Sequence, residues 1–216
     1  MSDLSDLVPI SSIPALNKDL SSATEETMIE VLGSAQKPLT TSCQDDRASP
    51  AVKRLLDTRR LSNHVRVTGI KPALDSLEAI FAQIKQANPE LLPVLATEGM
   101  LCVRLRNPTS GQPSTKMSNH SWGTAIDFKL MGEEAPGNTG KNVPRWVALL
   151  VPHFNKAGWF SGIGFRDDMH FEASNELVRQ WAHDGLLGEP ISPRVETVAA
   201  RRTVGEAPLS NFGDAS

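Results

Sequence analysis

No stretch of the 216-residue chain approaches the roughly 18 consecutive apolar residues that a membrane-spanning helix needs. No helix is therefore expected to cross a bilayer. Basic residues are not in excess. The net charge is −3, which leaves no electrostatic footprint for nucleic acid. The opening MSDLSDLVPISS has no basic start, apolar run or small-residue cleavage site, so it does not read as a secretory signal. Cysteine is scarce too. Cys43 and Cys102 are the only two, too few for a disulfide framework. Both are expected to be free, with Cys102 buried in a strand.

What remains is an ordinary globular composition, 39% hydrophobic, in a chain long enough for one cored domain with extra chain. Residues 1–60 are expected to form a partly flexible N-terminal arm, with short helices at 24–33 and 51–59. Residues 61–187 are expected to form the domain, and the proline-bearing residues 188–216 a tail. Pro72 suits the first turn of a helix, and Leu74, Leu77, Phe81 and Ile84 follow at helical spacing. Asn88-Pro89 ends that helix. LCVRLR at 101–106 alternates and predicts a half-buried strand. A second strand is predicted at 124–130, with Ile126 and Phe128 on one side and Asp127 on the other. A glycine-bearing loop follows at 131–143. A helix is expected from Pro144 to Ala157, a strand at 168–173, and a last helix capped by Ser174. This order lacks regular βαβ alternation. It predicts an α+β fold, a small, mainly antiparallel sheet with helices on one face.

The polar strand faces then gather chemistry on the open side. Two segments stand out, SNHSWGTAID at 118–127 and DDMHFE at 167–172. They supply two imidazoles and several carboxylates, a donor set that suits zinc. Three protein ligands leave a fourth position for a water whose pKa the metal lowers to about 7. His120 and Asp127 are seven residues apart, two turns on a helix and too far to share an ion. They converge only if His120 lies on a turn before the strand, which Gly123 permits.

SNHSWGTAID resembles the S-x-H-x-x-G-x-A-x-D motif of the M15 zinc peptidases. These are the VanY- and VanX-like D-Ala-D-Ala carboxypeptidases and dipeptidases and the phage L-Ala-D-Glu endopeptidases. DDMHFE is similar to that family's second motif, an acid three residues before a histidine. The resemblance covers roughly residues 65–183 and implies a fold like that of D-Ala-D-Ala peptidases and Hedgehog proteins. It implies Zn2+ held by His120, Asp127 and His170, with Asp167 as general base. The aspartate at 167, where many members have glutamate, resembles the phage endopeptidase branch. It also implies an oxyanion-stabilising arginine before the first motif. Arg104 fits that place best, with Arg106 a substrate contact on the same face, and Ser118 near the substrate. Strand parity alone would set Asp168, not Asp167, on the face of His170. The family spacing favours Asp167.

Glu172 is expected to support a zinc histidine from behind. His64, His153 and His183 are expected to be ordinary surface or core residues, and Trp122 and Trp159 to be packing. The implied function is a metallopeptidase cutting peptidoglycan stem peptides, at D-Ala-D-Ala or L-Ala-D-Glu. The protein would be made in the cytoplasm and reach the cell wall by export or lysis, with room for a delivery or immunity partner. The rival is a non-catalytic zinc-binding interaction module on the same scaffold, as in Hedgehog proteins.

Overall fold

A computed structural model describes residues 3–62, 64–107, 114–134 and 140–188. Its centre is a four-stranded antiparallel sheet in the order β4-β5-β8-β7, built from β4 (Leu95–Gly99), β5 (Ala125–Leu130), β7 (Trp159–Ser161) and β8 (His170–Ala173). Two further two-stranded antiparallel pairs are present. One joins β1 (Leu7–Pro9) to β6 (Asn142–Pro144), and the other joins β2 (Leu56–Arg60) to β3 (Arg66–Ile70). The α+β class with small antiparallel sheets is what the element order predicts.

The main helices follow their sequence signals. α3 (Lys71–Ala87) carries proline in its first turn and buries Leu74, Leu77, Ile80, Phe81 and Ile84. α4 (Arg145–Lys156) buries Trp146, Leu150 and Phe154 and is followed by Gly158 at φ 83°. α5 (Asn175–His183) starts where the Ser174 side chain accepts from the Leu177 N–H. One face of the sheet packs on these elements. Phe128 of β5 meets Phe81, Phe154 and Phe171 edge-on or tilted at centroid distances of 5.6–6.0 Å. Burying each such ring stabilises by roughly 1.5–3 kcal/mol.

The N-terminal segment adds to the same core. α1 (Glu25–Leu32) is capped by Thr24, and Ile13, Ala23, Met28, Leu32, Ala35 and Leu39 all join the hydrophobic cluster. The helix expected at 51–59 is shorter, α2 (Pro50–Leu55), and the chain then turns directly into β2.

Two expectations are overturned. Residues 101–106 form no strand. Only Leu105 makes an isolated bridge, to Met117. The backbone is satisfied instead by scattered partners. Leu101 N–H donates to Thr68 O, Cys102 N–H to His120 O and Leu105 N–H to Thr40 O, and Val103 N–H donates to the Asp45 carboxylate. The cysteines are also not free. Cys43 and Cys102 form a disulfide, with their Cα atoms 4.8 Å apart. Folding of the N-terminal segment against 101–106 brings together two residues distant in sequence. The tail expected at 188–216 lies, beyond residue 188, outside the described residues.

Candidate metal centre

The site begins with a register. In β5, Ile126, Phe128 and Leu130 are buried, and Asp127 and Lys129 turn to the opposite face. β8 pairs with β5 so that Asp127 lies directly opposite His170, and Ala125 opposite Glu172. Direct cross-strand neighbours stand within side-chain reach. Two of the candidate ligands therefore meet because of strand pairing alone.

His120 arrives by a different route. Asn119–Trp122 form a single 3-10 turn that closes at Gly123, which adopts the left-handed conformation (φ 63°). A Cβ on Gly123 would sit 3.0 Å from the Gly69 Cα, so only glycine fits this reversal without strain. The turn folds His120 back over the start of β5. Trp122 anchors it, its indole N–H donating to Gly33 O at 2.8 Å.

The three side chains converge. His170 Nδ1 is 2.9 Å from Asp127 Oδ1, His120 Nε2 is 3.2 Å from Asp127 Oδ2, and the two ring nitrogens are 3.2 Å apart. Among the described residues, this is the group of histidine, cysteine and acidic side chains whose ligand atoms lie within 4.8 Å of one another.

The outward nitrogens are occupied. His120 Nδ1 faces Met100 O at 2.7 Å, and a carbonyl can only accept, so Nδ1 carries a proton and Nε2 is the nitrogen on the inner side. His170 Nε2 faces Glu172 Oε2 at 2.9 Å, leaving Nδ1 on the inner side. Such outer hydrogen bonds fix tautomer and ring orientation in metal-binding histidines. Two imidazole nitrogens and a carboxylate, aimed at one point with their outer nitrogens bonded, fit a divalent zinc ion.

Electrostatics agrees. Burial opposes the charge on Asp127, yet hydrogen bonds from His120 and His170 hold its carboxyl far below the usual range. Burial likewise opposes the charge on His170, but its bonds to Asp127 and Glu172 outweigh it and raise the imidazole to about 10. Glu172 is desolvated, 3% exposed, and held ionised below its ordinary value chiefly by His170, then by Ser22 and Asn119.

Asp167 and Asp168 lie in the loop before β8, where strand parity does not apply. The Asp167 N–H donates to Gly162 O at 3.0 Å. Burial raises the Asp167 pKa, and its carboxylate also feels His170, Asp127, His120 and Arg104. Asp168 is buried and pushed up to about 6 by burial and then by Asp167. Gly162 makes room for this loop, because a Cβ there would collide with the Asp167 carbonyl and lie 2.9 Å from the His170 Cβ.

Residues 112–173 match the family model described as D-alanyl-D-alanine carboxypeptidase, of the M15 peptidases. Over this stretch, less than a third of the chain, the sequence is similar to the M15 peptidases. The matched stretch contains all three convergent side chains and both candidate acids, Asp167 and Asp168. Neither a curated protein nor a solved structure matches the chain.

The other residues singled out in the sequence fall in different places. Arg104 is half-buried. Its backbone N–H and carbonyl both bond the Ser121 hydroxyl, at 3.1 and 3.0 Å, tying it to the His120 turn. Arg106 instead turns its Nε to Met117 O at 3.0 Å, and its charge acts on Glu26. Ser118 is buried. Its N–H donates to Arg104 O and its carbonyl accepts from Ser121 N–H. Trp159 is packing, its indole N–H donating to Ser76 Oγ. Three contributors escape sequence reading. Met100 acts through its carbonyl, which every residue has. Asn119 lies inside the first motif, and its Nδ2 donates to Glu172 Oε2 at 2.7 Å. Ser22 is about 150 residues from its partner, Glu172.

Proposed function

We propose that the chain is a zinc-dependent peptidase that hydrolyses peptidoglycan stem peptides, with His120, Asp127 and His170 as ligands. The observation that carries this reading is the convergence of Nε2 of His120, Nδ1 of His170 and the Asp127 carboxylate with both outer nitrogens bonded. When bound there, zinc supplies a Lewis acid that polarises the scissile carbonyl and eases deprotonation of a water.

The protein groups divide the remaining work. Asp167 takes the proton of the attacking water and returns it to the leaving amine. Its raised pKa suits a group that must hold a proton for part of the cycle. Arg104, whose charge already acts on Asp167, stabilises negative charge developing on the carbonyl oxygen. Glu172 holds His170 from behind. Ser118 contributes to the substrate-side wall, and Arg106 takes a more distant part of the substrate. The peptidase unit at 61–187 is completed by the N-terminal residues 1–60, which share its core, and a delivery or immunity partner would engage the surface of that segment or the C-terminal 188–216.

The disulfide points to a place of action. Such bonds persist in oxidising compartments, which agrees with a cell-wall substrate outside the cytoplasm. No helix among the described residues is long and apolar enough to cross a membrane.

Purified peptidoglycan digested with and without a chelator, with products weighed by mass spectrometry, tests the reading. Chelator-sensitive release is expected, and the fragment masses name the bond. Loss of alanine identifies D-Ala-D-Ala, and cleavage at L-Ala-D-Glu frees larger stem fragments. No fragment under any zinc condition would favour the rival, a non-catalytic zinc-binding module. The acid at 167 and Arg104, both present in the sequence, support catalysis over that rival.

A further inference from the structure

Glu172 has more partners than its histidine. Its Oε2 receives His170 Nε2 and Asn119 Nδ2, at 2.9 and 2.7 Å, and its Oε1 receives the Ser22 hydroxyl at 2.5 Å. A carboxylate turns easily about its terminal torsion. With donors on one oxygen only, its plane would be free to pivot; Ser22 pins the second oxygen. Glu172 is also buried, where an ionised group needs such partners.

Ser22 is held in place by a dense local clamp. It bridges to Ser174, the residue after β8. Ser21 binds the Glu176 carboxylate through both its N–H and its hydroxyl. Ala23 O accepts from Asn119 Nδ2 at 3.1 Å, and the Thr27 hydroxyl donates to Asn175 Oδ1 at 2.6 Å. The clamp therefore grips both ends of the site. It holds the turn that presents His120 and the end of the strand that presents His170.

We propose that Ser22, outside the segment that matches the family, is a positioning residue of the metal site, acting through Glu172 on His170. The inference rests on the zinc reading above. Removing the hydroxyl leaves one oxygen of a buried carboxylate short of a donor and frees Glu172 to turn, so His170 loses its fixed orientation. Loss of such outer support typically weakens metal binding about 10- to 100-fold.

The test is zinc affinity of the full-length protein, measured by competition with a coloured chelator, with circular dichroism to confirm folding. S22A is expected to bind zinc about tenfold more weakly or worse, while S22T, which keeps the hydroxyl, stays within about twofold of the parent. S12A removes a hydroxyl of the same N-terminal segment that bonds Pro9 O outside the clamp and is expected to behave as the parent. In the peptidase assay S22A should lower kcat with KM little changed at limiting zinc, and added zinc should restore it. Parental affinity in S22A, or equal losses in S22A and S12A, would overturn the positioning role and leave the zinc reading standing. A parent protein that binds no zinc would overturn both. Should S22A lose its fold, the near-isosteric pair S22T and S22V makes the same comparison, and equal affinities in that pair would overturn the role.

Discussion

At the scale of residues, the centre is a set of proton positions as much as a set of distances. Without metal, His170 is held protonated up to about 10 between Asp127 and Glu172, so a metal must displace the proton on the nitrogen it uses. The sign follows. Below pH 10 the proton competes, and competition weakens as pH rises. Apparent zinc affinity should therefore climb about tenfold per pH unit between about 6 and 8, with one proton released per ion, as titration calorimetry in buffers of different ionisation enthalpy would show. Affinity that does not change with pH would contradict the protonated state. For the metal-free fold the same raised pKa gives stability that is full below the ordinary histidine range and lost as pH rises through about 10. Asp167 predicts a separate result. Asp167→Ala should keep zinc bound yet lower kcat by about 10²–10⁴-fold. Near-parental turnover would move the base elsewhere, and Asp168→Ala is the comparison variant. The ligands are legible in the sequence because two motifs carry their spacing. Met100 O and Ser22 are not, since one is a backbone carbonyl and the other meets Glu172 only after the chain has folded.

At the scale of elements, what a sequence pattern reveals depends on where hydrogen bonds go. The β5 alternation is real because β4 and β8 pair with it on both sides. The similar alternation of LCVRLR marks an extended segment wedged among Thr40, Asp45, Thr68 and His120, with buried Val103 inside and no ladder. β2 and β4 escape notice for the opposite reason. LDTRR and LATEG are short and polar, and pairing rather than burial makes them strands. The turn before β5 makes a firm prediction. Gly123→Ala places a side chain at positive φ, against Gly69 Cα and Ile70 N, and costs about 1–3 kcal/mol. Thermal unfolding should fall by about 2–4 °C per kcal/mol for a chain of this size. Zinc affinity should fall with it, because the same turn presents His120. An unchanged melting point would mean the turn relaxes freely.

At the scale of the whole molecule, the N-terminal segment is built into the peptidase rather than appended to it. Its apolar residues share the core, the Ser22 hydroxyl reaches Glu172, and Cys43 ties it to Cys102 across a separation of 59 residues. Closing a loop of that length stabilises by about 4 kcal/mol in the chain-entropy account. The double variant Cys43→Ala/Cys102→Ala should therefore unfold at lower denaturant by about 2–4 kcal/mol, and reducing agent should reproduce the loss in the parent. Scarcity of cysteine gives no hint of this pairing, which only the approach of two distant segments creates. Whether His120, Asp127 and His170 hold one zinc ion, as proposed, is decided by metal titration of the parent beside His120→Ala, Asp127→Ala and His170→Ala. One tightly bound zinc is expected in the parent, with affinity lowered by several orders of magnitude in each folded variant. A parent that takes up no zinc, or variants that bind it as tightly, would contradict the proposal.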